Sequence, residues 1–147
     1  MMFWEKEIET MSRENLRKLQ TERLNQSLER ALRAPYYAGL LQKDPSFKGR
    51  VGDVSELTEF PFTVKQDLRD HFPDGFLTLP KKEIIRLHSS SGTTGNPTVI
   101  YHNRHDIGSW ANLVARSLYC AGARDTDVFQ NIVGYGLFTG GLGFQYG

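Results

Sequence analysis

The sequence predicts an α/β fold in two stretches, a mainly helical layer over residues 1–80 and an α/β portion over residues 81–147. Three observations predict it. Apolar residues recur at helical spacing between Ser12 and Leu32. Two short runs that read as strands, residues 84–88 and 98–102, enclose a stretch dense in hydroxyls and glycine. A second helical stripe, Ile107, Trp110, Val114 and Leu118, follows at once.

Each element has its own warrant. Ser12 is placed to cap the first long helix, and Leu16, Leu19, Leu24, Leu28 and Leu32 fall largely on one stripe. Pro35 is expected to end it, with Tyr36 and Tyr37 as packing aromatics. Residues 44–54 are polar, hold Pro45, Gly49 and Gly52, and read as a loop. Thr63 and Gln66 have capping-box spacing for a short helix, which Pro61 leads into and Pro73 and Gly75 close. The stripe from Ile107 to Leu118 belongs to a helix opened by Asn103 or Asp106 and stopped near Cys120 by Gly122. Residues 127–131 read as a further short strand. Residues 134–143 are glycine-dense yet carry Tyr135, Leu137, Phe138 and Leu142. A solvent linker has no use for those side chains; a loop or helix start lining an apolar pocket does.

Composition narrows the function classes. The chain has 147 residues, 39% hydrophobic and 24% charged, with a net charge of +1. That length suits one domain or a piece of one, and the balance gives no support to a nucleic-acid or anionic-membrane partner. One cysteine, Cys120, rules out an internal disulfide, and its place on an apparent apolar helix face predicts a buried, inert thiol. His71, His88, His102 and His105 do not show metal-site spacing, so no metal ligands are assigned. No run approaches the ~18 apolar residues of a membrane span. The N-terminus, Met1-Met2-Phe3-Trp4-Glu5-Lys6-Glu7, is too acidic for a signal peptide, and a cytoplasmic protein is expected. The chain stops at Gly147 inside an apolar, glycine-rich stretch, which predicts a truncated chain.

The stretch Ser89-Ser90-Ser91-Gly92-Thr93-Thr94-Gly95-Asn96-Pro97 carries the chemistry. It offers five hydroxyls that donate to oxyanions and two glycines that turn backbone N–H groups toward a ligand. A phosphate cradle is one reading; a polar linker or hairpin loop is the other. The run is no Walker A loop, because the Lys-Ser/Thr pair after the second glycine is absent. Nor is there a dinucleotide fingerprint, since Gly134-Tyr135-Gly136 has no third glycine in place.

Ser90-Ser91-Gly92-Thr93-Thr94-Gly95-x-Pro97 resembles the phosphate loop of adenylate-forming acyl- and aryl-CoA ligases. Further segments narrow the resemblance to phenylacetate–CoA ligases. They are Pro61-Phe62-Thr63-x-Lys65, Asp106-Ile107-x-x-Trp110, and the run from Tyr135 to Gly143. The resemblance runs from about Ser12 to the end of the chain. It implies that residues 1–147 form the N-terminal part of the large adenylating domain, without the C-terminal lid. It also implies ATP, Mg2+ and coenzyme A as co-substrates and metal, a small aryl acid as substrate, and a homodimer. Ser90, Ser91, Gly92, Thr93, Thr94 and Gly95 would hold the β- and γ-phosphates as pyrophosphate charge develops. Lys65 would counter phosphate charge as a catalytic residue; on its own it also reads as an ordinary exposed lysine. Tyr135 and Phe138 would wall the aryl pocket, or simply pack in the core. The pattern departs from the family where a loop lysine is common, here Asn96 and Thr98. A chain of this length is expected to be inactive alone. A non-catalytic phosphate-binding module and a ligase for another aryl acid remain the alternatives.

Overall fold

The computed structural model describes residues 3–43, 49–90, 97–137 and 139–147. These residues form two compact units, one of residues 5–80 and one of residues 1–4 with 81–147.

The unit of residues 5–80 is helical. A single turn, α1 (Lys6–Glu9), precedes α2 (Arg13–Ala31). Ser12 caps α2 as expected: its hydroxyl accepts from the Asn15 N–H at 3.3 Å. Pro35 does not simply end that helix. It opens another, α3 (Pro35–Lys43), because a first-turn position needs no N–H and Pro arrives with φ preset. Ala34, wholly buried, sits at the corner, and its carbonyl accepts from the Ala38 N–H at 3.0 Å. Tyr36 and Tyr37 pack as the sequence predicts, with Tyr36 stacked 4.3 Å from Phe76.

Residues 49–53 have no helix or strand of their own, yet α2 straps them down. The Asn25 amide donates to the Val51 carbonyl at 2.9 Å and accepts from the Val51 N–H at 2.8 Å. One side chain thereby satisfies a buried backbone unit as a neighbouring strand would. Thr21 accepts from the Val54 N–H at 3.0 Å. Arg17 grips Asp53 with two bonds of 2.6 Å. A 3-10 turn, Val54–Glu59, follows. The short helix α4 (Lys65–Asp70) starts one residue later than predicted. The carboxylate of Asp67, rather than the Gln66 amide, reaches back to the Val64 N–H at 2.7 Å. Thr63 instead pairs with the Tyr37 hydroxyl at 3.1 Å.

The other unit holds the hairpin. Strands β1 (Arg86–Ser89) and β2 (Val99–His102) pair antiparallel, with His88 opposite Ile100 and Ser89 opposite Val99. Each strand boundary lies within two residues of its predicted place. Helix α5 (Arg104–Ala121) follows. Asn103 is its cap, accepting from the Asp106 N–H at 2.8 Å while the Asp106 carboxylate accepts from the Asn103 N–H at 2.9 Å. Gly122 ends it at φ 108°, the left-handed value that glycine takes without strain. Trp4 donates to the Asn112 side chain at 2.8 Å and packs on Tyr119, which ties Trp4 to α5. Cys120 is exposed, not buried; it faces away from the half-buried stripe of Ile107, Trp110, Val114 and Leu118. Residues 127–131 form no strand, a correction to the sequence reading. The glycine-rich run resolves into α6 (Thr139–Tyr146), which packs on α5.

Candidate phosphate-loop and acid-binding site

The hairpin sets the base of the hydroxyl-rich loop. Beyond the last ladder pair the Ser90 N–H donates to the Thr98 carbonyl at 2.9 Å, and the Thr98 N–H donates to Ser90 Oγ at 2.9 Å. Ser90 therefore closes the loop's neck with its backbone and accepts there with its oxygen, leaving its hydroxyl hydrogen to donate elsewhere. Ser91, Gly92, Thr93, Thr94, Gly95 and Asn96 lie outside the described residues. Thr98, just after Pro97, is buried.

Alternate residues of the hairpin share one face. His88 and Thr98 are on it, and His88 is only 3% exposed. Its ring lies 4.9 Å from that of His102 and 5.2 Å from that of Trp110, which comes from α5. Among the described residues neither ring nitrogen has a hydrogen-bond partner. Burial, then the neighbouring His102 and Arg86, pushes His88 below its ordinary pKa, so the ring is held neutral.

The aromatic segment reaches this base. The Ser89 N–H donates to the Leu137 carbonyl at 2.9 Å, which joins the end of β1 to the Tyr-Gly-Leu-Phe run. Tyr135 is half exposed; its hydroxyl donates to Gln145 at 2.7 Å and accepts from Asn131 at 3.2 Å. These polar contacts hold the hydroxyl end of the ring. Phe138 lies outside the described residues.

Two glycines explain why α6 fits here. A Cβ on Gly141 would come within 2.7 Å of the Gly134 carbonyl oxygen, and one on Gly143 within 2.7 Å of the Trp110 ring. Helix α6 therefore lies directly against backbone on one side and an indole on the other, an approach only glycine permits. At Gly141 and Gly143 the glycine density of the run serves close packing.

Lys65 belongs to the other compact unit. It is the first residue of α4, is exposed, and makes no hydrogen bond or ion pair among the described residues. A groove of about 1100 Å³ also lies in that unit, lined by residues including Arg17, Asn25, Arg50 and Asp53. None of the predicted site residues lines it.

The chain's likeness to known proteins bears on this arrangement. No protein-family model matches it. A 2-hydroxyisobutyryl-CoA ligase, solved in the postadenylation state with 2-HIB-AMP, superposes with a TM-score of 0.81 at 27% identity. That alignment covers 98% of this chain and 31% of the ligase. The same enzyme with 2-HIB-AMP and CoA in the thioesterification state gives a TM-score of 0.70 at 32% identity, over 85% of this chain and 28% of the ligase. The fold of the described residues is that of part of an adenylate-forming acid–CoA ligase. Within that class the sequence is specific. The phenylacetate-coenzyme A ligase of Thermus thermophilus is 46% identical over 99% of this chain and 33% of its own length. Those of Pseudomonas putida and Escherichia coli are 46% and 45% identical, each over 95% of this chain and 32% of their own lengths. The chain is a relative of the phenylacetate–coenzyme A ligases and spans about a third of the length of the curated relatives it matches.

Proposed function

We propose that this chain supplies the phosphate loop and part of the acid pocket of a ligase that converts phenylacetate to phenylacetyl-CoA. The observation that carries the reading is the 46% identity over 99% of the chain to a phenylacetate-coenzyme A ligase. In the reaction a carboxylate oxygen of phenylacetate attacks the α-phosphorus of ATP and pyrophosphate leaves. The thiolate of coenzyme A then attacks the acyl carbon, and AMP leaves with the electron pair of the broken C–O bond.

The chain's residues take parts in the first step. Ser90 and the loop residues Ser91, Gly92, Thr93, Thr94 and Gly95 donate to the β- and γ-phosphate oxygens, where negative charge accumulates as pyrophosphate departs. Lys65 offers a mobile cation to the phosphates. Tyr135 and Phe138 present ring faces to the aryl group, which favours an aromatic acid over a small aliphatic one. Among the described residues no group of three or more His, Cys, Asp or Glu side chains is placed to hold a metal ion. Mg2+ would accompany the triphosphate and counter its charge. The same reading makes the protein a cytoplasmic homodimer acting on a small aryl acid.

The test places this chain in the Thermus thermophilus relative in place of the matched third. Phenylacetate-dependent exchange of pyrophosphate into ATP is expected, with acetate much weaker. A folded hybrid that exchanges with no acid at all sinks the reading, and one that prefers another aryl acid changes the substrate. In that hybrid Lys65→Ala removes one charge-assisted bond of about 1.5–3 kcal/mol, so kcat/KM for ATP should fall roughly 10- to 100-fold. An unchanged value returns Lys65 to the surface.

A further inference from the structure

Asn131, Tyr135 and Gln145 form one hydrogen-bonded row. It begins at Asn131, which is half-buried. The Asn131 amide oxygen accepts from the Val133 N–H at 3.0 Å, and the amide nitrogen donates to the Gly141 carbonyl at 2.8 Å. A backbone N–H only donates and a carbonyl only accepts, so the amide can face one way alone. The second hydrogen of that nitrogen is then directed at the Tyr135 hydroxyl oxygen, 3.2 Å away. Having accepted there, the hydroxyl sends its one hydrogen on to Gln145 Oε1 at 2.7 Å. Donation runs in one direction, from Asn131 through Tyr135 to Gln145. Gly141, which anchors the row, is buried in α6, where a Cβ would strike the Gly134 carbonyl oxygen. Gln145 stands one turn further along the same helix. Tyr135 is thus tied by its hydroxyl to both ends of one helical turn, while 55% of its surface stays exposed.

We propose that Asn131 and Gln145 are positioning residues, which act through the Tyr135 hydroxyl to fix the angle at which its ring meets the aryl group of the acid. The inference rests on the functional reading above and adds two residues to it. A tyrosine on a loop keeps freedom in its two side-chain torsions, and bonds at the hydroxyl tip remove it. A ring fixed before the acid arrives costs less ordering on binding than one immobilised at that moment. With its hydrogen committed to Gln145, Tyr135 offers the acid a ring face rather than a donor, which suits an apolar ring. Neither Asn131 nor Gln145 has to touch the acid for this. Their effect passes through one oxygen atom.

The kinetic test uses the hybrid ligase that carries this chain in place of the matched third of the Thermus thermophilus relative. Gln145→Leu should raise the KM for phenylacetate about 2- to 10-fold, the range of one lost hydrogen bond, with the KM for ATP unchanged. Gln145→Glu keeps an acceptor and should restore the parent value. In a Tyr135→Phe background there is no hydroxyl to hold, so Gln145→Leu should have no further effect. A general loosening of α6 would persist in that background and would not be rescued by Gln145→Glu. The proposal is overturned if the phenylacetate KM ignores Gln145→Leu, or if the effect is the same with and without Tyr135→Phe. A second measurement needs no activity. In proton–nitrogen spectra of the full chain, Tyr135→Phe should move one of the two Asn131 side-chain amide protons, the one facing Tyr135, more than the other. Unmoved signals overturn the proposal as well. A hybrid that exchanges pyrophosphate with no acid, while the Asn131 signal moves as expected, defeats the functional reading and keeps the tether. Phenylacetate-dependent exchange with a KM indifferent to Gln145→Leu does the reverse.

Discussion

His88 shows how a single side chain couples the hairpin to solution conditions. It is buried against His102 and Trp110, and burial holds it neutral below its ordinary pKa of 6.5. An unfolded chain takes up a proton near 6.5, whereas the folded chain takes it up only at lower pH. Between those values the unfolded state binds more protons. Stability is therefore full above 6.5 and falls as pH drops through that window. His88→Phe keeps a ring on Trp110 and removes the proton, so the melting temperature should decline less between about pH 7 and about pH 5 than in the parent. An identical decline would assign the acid sensitivity to other groups. Gly143 is a second point of leverage. A methyl there meets the Trp110 ring at 2.7 Å, which the indole has little freedom to yield to. Gly143→Ala should cost about 1–3 kcal/mol, the usual cost of overpacking. Tryptophan emission should shift as α6 lifts, and an unchanged denaturation midpoint would refute the close approach.

Among the elements, α5 is the one whose signals agree at every level. Asn103 caps it, Gly122 stops it and its apolar stripe faces inward. Asn103→Ala should therefore destabilise by about 1 kcal/mol through loss of the reciprocal cap, readable as a lower urea midpoint with an unchanged slope. Such local chemistry is what a sequence states openly. The hairpin was legible for the same reason, two β-rich runs around a turn-forming loop, and so was the Ser12 cap. Helix α3 was not, because Pro35 looks alike at the end of one helix and the start of the next. The strap over α2 was also hidden: nothing local to Asn25 shows that its amide will meet Val51 across a gap in sequence. Residues 127–131 have a strand's composition, but pairing is a property of two segments, and the described residues contain only one. Of the candidate site, Ser90 and Tyr135 are nominated by residue type alone. The bond from Ser89 to Leu137 that joins their two segments is not.

At the scale of the whole molecule the apolar surface is thinly covered. Among the described residues the buried hydrophobic side chains are Leu28, Ala34 and Val51, and no large side chain is wholly buried. Phe62, Val128 and Ile132 stand largely in water. Since unfolding enthalpy follows buried surface, calorimetry of the isolated chain should give well under the ~0.7 kcal/mol per residue of compact domains. A sharp transition with the full value would contradict that, and would mean the exposed groups find cover in solution. Here Cys120 has a practical consequence. Being the only cysteine and lying at the surface, it has no thiol to pair with inside its own molecule. Any disulfide it forms with another copy welds two chains covalently, and air-oxidised preparations will contain such pairs regardless of how the native surfaces behave. A twofold mass that disappears with reductant is oxidation, and only one that persists in it reports on assembly.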